Sequence, residues 1–365
     1  MNSPPSQRYQ AGIERGQWQD DPAQRAVMVE LDRLHADLSA AEETPGLMRR
    51  LFGGKRELRV PRGLYLWGGV GRGKTFMVDL FFDSLDFPEK HRAHFHRFMR
   101  ELHERLKQHS GERDPMASIA RQWRQEMRVL VLDEFFVTDI GDAMLLARLL
   151  EHLFAEGVVL VTTSNTVPAN LYKDGLQRAR FLPAIALLEQ HCVVFEIESS
   201  TDYRLRALTR SPVYQQLDSG SQSDAWLAER WQTLTHVPPQ PAVLEIDGRP
   251  IHCRARHHGF VWFDFSALCE GPRAAADYIE IAQEFHTVLI GGIPHFDGSN
   301  DDPARRLVNA IDEFYDRHVN LIVTAAHPPV ALYQGERLAH AFERTASRLI
   351  EMQSAEYLAR EHLPG

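Results

Sequence analysis

Residues 63–76 read GLYLWGGVGRGKTF, and the fold turns on them. The apolar run GLYLW has the length and composition of a short buried strand. It leads straight into the octet Gly68-Gly69-Val70-Gly71-Arg72-Gly73-Lys74-Thr75, which fits GxxxxGK[ST] at each fixed position. TFMVDLFFDSL beyond it reads as a helix. Strand, glycine loop and helix form the context in which this motif binds phosphate. Small residues let consecutive backbone N–H groups point at phosphate oxygens, and the following helix adds its positive end. Lys74 then neutralises the β- and γ-phosphates, and the Thr75 hydroxyl ligates Mg²⁺.

Such a loop needs a carboxylate on a neighbouring strand. Val129-Leu130-Val131-Leu132-Asp133-Glu134 supplies one: four apolar residues bury the strand and leave Asp133 at its carboxyl end, where open α/β sheets bind ligands. Asp133 is the expected metal ligand. Glu134 directly after it can polarise an attacking water, which points to hydrolysis rather than transfer to an organic acceptor. Asn309-Ala310-Ile311-Asp312-Glu313 offers a second Asp-Glu pair, but Leu307, Ala310, Ile311 and Phe314 repeat at helical spacing, so Asp312 is expected on a helix. The NKxD and DxxG patterns of GTP-binding switches do not occur, so ATP is the expected nucleotide.

VVLVTTSNTVP is a further buried strand, and Asn165 at its end is placed to contact the γ-phosphate or the attacking water. Leu176-Gln177-Arg178-Ala179-Arg180-Phe181 follows, with two arginines beyond that strand. An arginine that stabilises charge in phosphoryl transfer is worth about 10³–10⁵ in rate, and a second molecule can supply it. If Arg178 or Arg180 faces outward, the site is complete only between subunits packed head to tail, and such contacts close into rings.

Strands alternating with helices to about residue 200 imply a parallel sheet covered on both faces. HRAHFHRF reads as the second strand, GDAMLLARLLEHLFAEG as a helix closed by glycine, LYKDGLQRARFLPAIALLEQ as largely helical and CVVFEIE as another strand. Three parts are expected: residues 1–60 as a helical extension, with one helix over 23–41, and a basic loop; 61–205 as the ATPase core; 206–365 as a smaller, lid-like α/β region. In the last part VWFDF, HTVLIGGI and VNLIVTAA are candidate strands, while SPVYQQLDSGSQSD and HVPPQPA look like linker material around one helix.

The 365 residues suffice for two domains. No apolar run approaches the roughly 18 residues of a membrane span, and MNSPPSQRYQ lacks an apolar signal segment, so a soluble cytoplasmic chain is expected. Cys192, Cys253 and Cys269 are widely spaced and form no CxxC pair, which fits reduced, buried thiols. The net charge of −9 argues against broad attraction to nucleic acid. The local exception is RRLFGGKRELRVPR, residues 49–62, a solvated loop or a docking surface for an acidic partner. Phe95 and Phe98 of HFHRFM follow the second strand, either as aromatics that grip a polypeptide or as core residues. Histidines 91, 94, 96 and 103 have no cysteine beside them, and zinc is not expected there.

GVGRGKT, LDEFFVTDIGDAM, TTSNTVPANLYKDGLQRARFLPAI and TDYRLR together resemble the AAA+ ATPases of the ZapE family, bacterial cell-division proteins with mitochondrial relatives. The likeness continues through DYIEIAQEFHTVLI, ARRLVNAIDEFYDRHVNLIV and SRLIEMQSAEYLAREHLPG, nearly the whole chain. Phe136 departs from the glutamine often found after DEF; no catalytic position departs. The resemblance implies a P-loop ATPase that hydrolyses ATP with Mg²⁺, forms oligomers, associates with the division septum and acts on polymers of tubulin-like FtsZ. It carries roles over to Lys74, Thr75, Asp133, Glu134 and Asn165. It makes Arg178 the arginine finger, with Arg180 as rival, and Arg344 or Arg348 the second sensor of a C-terminal lid. A nucleic-acid-associated loader of the helicase-loader type is the alternative.

Overall fold

The computed structural model describes residues 3–40, 60–198, 203–217, 220–246 and 248–363. They divide into two compact units, Met1–Asp202 and Tyr203–Gly365. The basic stretch 49–62 lies outside the described residues up to position 59.

In the first unit a five-stranded sheet is built from β1 (Gly63–Trp67), β2 (Lys90–His94), β3 (Val129–Asp133), β4 (Val159–Ser164) and β5 (Cys192–Glu196), ordered β2-β3-β4-β1-β5 with all neighbours parallel. The period-two side-chain alternation of strands decides what each face buries. Leu64 and Leu66, Val129 and Val131, and Val159 and Val161 point to a face covered by α1 (Pro5–Glu14), α2 (Pro22–Ala40) and α3 (Lys74–Ser84). Tyr65, Leu130, Leu132 and Leu160 point to the other, covered by α4 (Phe95–Gln108), α5 (Pro115–Glu126), α6 (Ile140–Ala155) and α7 (Leu182–His191). This double covering is why the strands read as continuous apolar runs.

Local chemistry sets the helix ends. Asp139 caps α6, accepting from the backbone N–H of Gly141 at 2.6 Å and Asp142 at 3.1 Å, and Gly157 at φ 81° closes the turn after it. The second strand is shorter than HRAHFHRF suggests. The chain becomes helical at Phe95, because Phe95, Phe98, Met99 and Leu102 share one helical face and are all buried. Both phenylalanines are core residues, 5% and 1% exposed. The LYKDGLQRARF stretch holds a 3₁₀ turn at Arg178–Arg180 before α7 begins.

The second unit has α8 (Tyr203–Thr209), β6 (Tyr214–Gln216), α9 (Ser221–Thr235), a hairpin of β7 (Ala242–Ile246) and β8 (Arg249–Cys253), β9 (Ala255–His257), β10 (Phe260–Asp264), α10 (Ala275–Glu284), β11 (Thr287–Ile293), α11 (Asp301–Asp316), β12 (Asn320–Ala325), α12 (Ala339–Glu351) and α13 (Ala355–Leu358). Its main sheet is ordered β6-β12-β11-β10-β9, parallel except for β9. VWFDF, HTVLIGGI and VNLIVTAA become β10, β11 and β12. The apparent linker around residue 214 instead contributes β6, a strand of three residues, Tyr-Gln-Gln, half-buried at the first two and exposed at the third, which carries no apolar signature. Asp312 lies within α11. All three cysteines are buried and free. Among the described residues no helix is long and apolar enough to cross a membrane.

Candidate active site

The cradle begins where β1 ends. Gly68 and Gly73 have φ of 149° and 83°, backbone that L side chains rarely adopt. A Cβ on Gly73 would lie 2.7 Å from the Gln24 amide, and one on Gly68 would lie 2.8 Å from the Ile197 carbonyl oxygen. Glycine is therefore dictated by conformation at both positions and by space as well at Gly68, where the neighbour is backbone. The loop leaves Lys74 as the first residue of α3, only 9% exposed. Its ammonium donates to the carbonyls of Gly68 at 2.7 Å and Gly69 at 2.8 Å and to Asn165 Oδ1 at 2.8 Å.

That last bond joins two motifs that are remote in sequence. Because β4 separates β1 from β3 in the sheet, Asn165, just past the end of β4, falls between the glycine loop and the end of β3. Asp133, the last residue of β3, is 2% exposed. Thr163 of β4 donates its hydroxyl to Asp133 Oδ1 at 3.4 Å and accepts the Glu134 backbone N–H at 3.1 Å. The turn is further held by the Phe135 N–H on the Thr163 carbonyl at 2.8 Å and by the Ser164 hydroxyl on the Phe135 carbonyl at 2.8 Å. Glu134 thereby sits at φ 54°, the left-handed region, which costs a non-glycine residue about 1–3 kcal/mol and persists only where the surroundings enforce it. The strain turns Glu134 off the strand while Phe135 is driven into the core at 0% exposure.

Sequence reasoning missed Arg92. From β2, beside β3, it donates Nε to Asp133 Oδ2 at 2.6 Å and Nη2 to Asp133 Oδ1 at 3.2 Å, and it pairs through Nη1 with Asp79 of α3 at 2.5 Å. Its side chain is 7% exposed. Burial opposes its charge, but Asp133 and Asp79 outweigh that and hold the guanidinium above its usual pKa. Burial pushes the Asp79 carboxyl up to about 7 against the opposing pull of Arg92. The sequence signal was a charged residue inside a strand, but its meaning depends on the β2–β3 register, which no motif encodes. Nearby, burial, assisted by His94 and Arg100, lowers the His96 imidazole to about 3, so it is neutral beside Glu134.

Thr75 is half-buried in the first turn of α3. Val70, Gly71 and Arg72 complete the loop, and Gln24 Nε2 of α2 reaches the Arg72 carbonyl at 3.4 Å. α1 and α2 thus belong to the same unit as the sheet, with Trp18 packed edge-on against Phe76 of α3 at 4.9 Å. Arg178 is half-buried and donates Nη2 to the Ala169 carbonyl at 2.5 Å, whereas Arg180 is exposed. Arg344 and Arg348 belong to the second unit. There both pair with Asp312, Arg348 at 2.5 Å, and Arg348 also reaches Asp316 at 3.3 Å.

A parallel sheet whose edge joins a glycine cradle and its lysine to a strand-end Asp-Glu pair defines a P-loop ATPase core of the AAA+ type. The AFG1-like ATPase family model matches residues 3–361, and the chain belongs to that family. It is 44% identical to the cell division protein ZapE of Escherichia coli strain K12, over 99% of each chain. It is 34% identical to the lactation elevated protein 1 homolog B of Danio rerio, over 81% of this chain and 68% of that one. Among solved structures, DnaI aligns with a TM-score of 0.35 and 17% identity over 49% of this chain and 87% of its own. AMPPCP-bound DnaA from Aquifex aeolicus also scores 0.35, at 14% identity over 53% and 52%. Likeness at that level adds nothing to the fold described above. The protein is an ATPase, and its family binds nucleotide.

Proposed function

We propose that the chain hydrolyses ATP with Mg²⁺ in the cradle 68–75 and spends the energy on remodelling a protein polymer during cell division, the FtsZ-type filament. The observation that carries the chemistry is the Lys74–Asn165 bond, which ties the glycine loop to the strand end next to Asp133 and Glu134. The residues fit a magnesium nucleotide: Asp133 is a buried carboxylate at the sheet edge, Gly68 and Gly73 hold the positive-φ backbone that curls the loop, and Thr75 stands in the first helical turn.

Backbone N–H groups of Gly69 to Thr75 bind the phosphates, and Lys74 neutralises their charge. Thr75 and Asp133 hold Mg²⁺, which when bound withdraws charge from the phosphate oxygens. Glu134, lifted off the strand by its left-handed backbone, orients the attacking water and accepts its proton. Asn165 positions that water or the terminal phosphate. Arg178 acts on the site of a neighbouring subunit in a head-to-tail ring, with Arg180 the other candidate.

The cell-division role rests on family membership and on the 44% identical bacterial relative named for it. The polymer partner rests on the resemblance in sequence, and septal recruitment goes with it. The test is the ATPase rate with division polymer and, separately, with single-stranded DNA at several salt concentrations. Stimulation by polymer supports the proposal; stimulation by DNA alone, falling steeply with salt, replaces it with a nucleic-acid loader.

A further inference from the structure

The second unit repeats the first along the chain, and we infer that it is a silent second copy of the ATPase fold whose phosphate site is blocked by its own side chains. The evidence begins with element bounds. α6 at 140–155 matches α11 at 301–316, β4 at 159–164 matches β12 at 320–325, and the 3₁₀ turn at 168–170 matches that at 329–331. One constant interval relates all three pairs. The same interval carries left-handed Gly157 onto left-handed His318, Leu171-Tyr172 onto Leu332-Tyr333, and buried Phe181 onto buried Phe342. The sheets agree as well: β1-β4-β3-β2 and β6-β12-β11-β10 are parallel runs in the same order.

Shared architecture alone does not require shared side-chain bonds, yet these recur. In the first unit the Glu134 N–H, at φ 54°, donates to the Thr163 hydroxyl at 3.1 Å; in the second the Gly292 N–H, at φ 72°, donates to the Thr324 hydroxyl at 2.9 Å. The Tyr65 hydroxyl of β1 donates to the Thr166 carbonyl at 2.8 Å, and the Tyr214 hydroxyl of β6 to the His327 carbonyl at 2.6 Å. Tyr65 pairs in register with Thr162, Tyr214 with Val323. Thr163 with Thr324, Thr166 with His327 and Thr162 with Val323 all keep the interval set by the helices.

With the correspondence fixed, the chemistry can be compared position by position. Gly291 and Gly292 stand where the first unit has Asp133 and Glu134. Register places Trp262 (opposite Leu289) where Arg92 stands (opposite Val131). A Cβ on Gly291 would meet Leu227 Cδ1 at 3.1 Å, Trp262 Nε1 at 3.6 Å and Asp264 Oδ1 at 3.7 Å, so a leucine, an indole and a different carboxylate crowd the space that Asp133 and its guanidinium occupy in the first unit. Leu227, Trp231, Trp262, Leu289 and Ile322 form one buried cluster there. Counted from the Tyr65–Tyr214 equivalence, the lysine and threonine of the glycine octet fall on Ser223 and Asp224, neither a cation. Ser223 takes the place of Lys74 and bonds the Thr324 hydroxyl at 2.6 Å. A triphosphate needs a cation free to meet it; among the described residues the guanidinium beside this stretch, Arg254, is already paired with Asp264 at 2.8 Å and Asp224 at 3.4 Å.

The copy also gives α12 a defined counterpart. It follows β12 as α7 follows β4, and Arg344 and Arg348 stand where α7 has Pro183 and Leu187, tying α12 to α11 through Asp312 and Asp316.

The chain therefore holds one nucleotide. The full-length protein is dialysed to equilibrium against a labelled non-hydrolysable ATP analogue with Mg²⁺, and bound ligand is counted per chain. One equivalent for the parent, and less than a tenth of it for Lys74→Ala at the same free ligand, is the expected result. Ser223→Ala and Thr324→Val are counted alongside and should leave stoichiometry and affinity within twofold of the parent. Two equivalents in the parent, a full equivalent surviving in Lys74→Ala, or bound nucleotide halved by either second-unit variant would each overturn the inference.

Discussion

Glu134 carries the sharpest expectation at the scale of single residues. Its carboxylate is the group assigned to the attacking water, and general-base contributions run to about 10²–10⁴-fold. Glu134→Gln keeps the backbone bond to Thr163, which uses only the main chain. Single-turnover rates should fall by about that factor while nucleotide affinity changes less than about threefold. Arg92 is a different case, because it touches Asp133, which is 2% exposed, and Asp79, whose side chain is 19% exposed. Arg92→Gln removes the guanidinium from the buried Asp133 carboxylate, a loss of about 3–5 kcal/mol by analogy with other broken buried pairs. Arg92→Lys keeps the charge but forfeits the fork that holds both oxygens of Asp133. Its melting temperature should fall less, and the Mg²⁺ concentration needed for nucleotide binding should rise, with binding in EDTA unchanged. The loop, the Asp-Glu pair and Asn165 were legible because each motif is contiguous and its chemistry fixes the residue types. Arg92 and Asp79 were not, because their role exists only once β2, β3 and α3 are neighbours.

At the scale of elements, apolar runs with clear bounds were readable and polar ones were not. β3 and β4 announce themselves by burial on both faces, whereas β6 is a Tyr-Gln-Gln edge strand that only its pairing with β12 reveals. The end of β2 is ambiguous for a related reason: Ala93 and Phe95 of HRAHFHRF lie two residues apart, a strand spacing, while Phe95 and Phe98 lie three apart, a helical one. The segment between β3 and α6 shows how element ends serve the site, since it carries Glu134 and is anchored at its far side by the Asp139 cap. Asp139→Ala removes the acceptor for two N–H groups and should cost about 1 kcal/mol. Urea unfolding measures that loss. Because Thr163 and Ser164 hold the near side of the segment independently, hydrolysis should fall less than tenfold.

For the whole molecule, the open question is whether a site is completed by a second chain. Arg178 stands in a 3₁₀ turn, with Leu176 two residues before it 71% exposed, an apolar side chain that an adjoining surface would cover. One exposed leucine is ordinary on its own, so the argument must come from function. A homomer of Glu134→Gln lacks the water-orienting carboxylate in each site, and a homomer of Arg178→Ala lacks the donated arginine in each site. In a mixed ring, an Arg178→Ala chain still has its own Glu134, and a Glu134→Gln neighbour still donates Arg178 to it. Random equal mixing of a head-to-tail assembly puts that arrangement at about one interface in four, so about a quarter of the parent rate should return. The mixed ATPase assay should peak near equal proportions. No recovery at any ratio would leave the site within one chain, and an active Arg178→Ala homomer beside an inactive Arg180→Ala homomer would move the finger to Arg180.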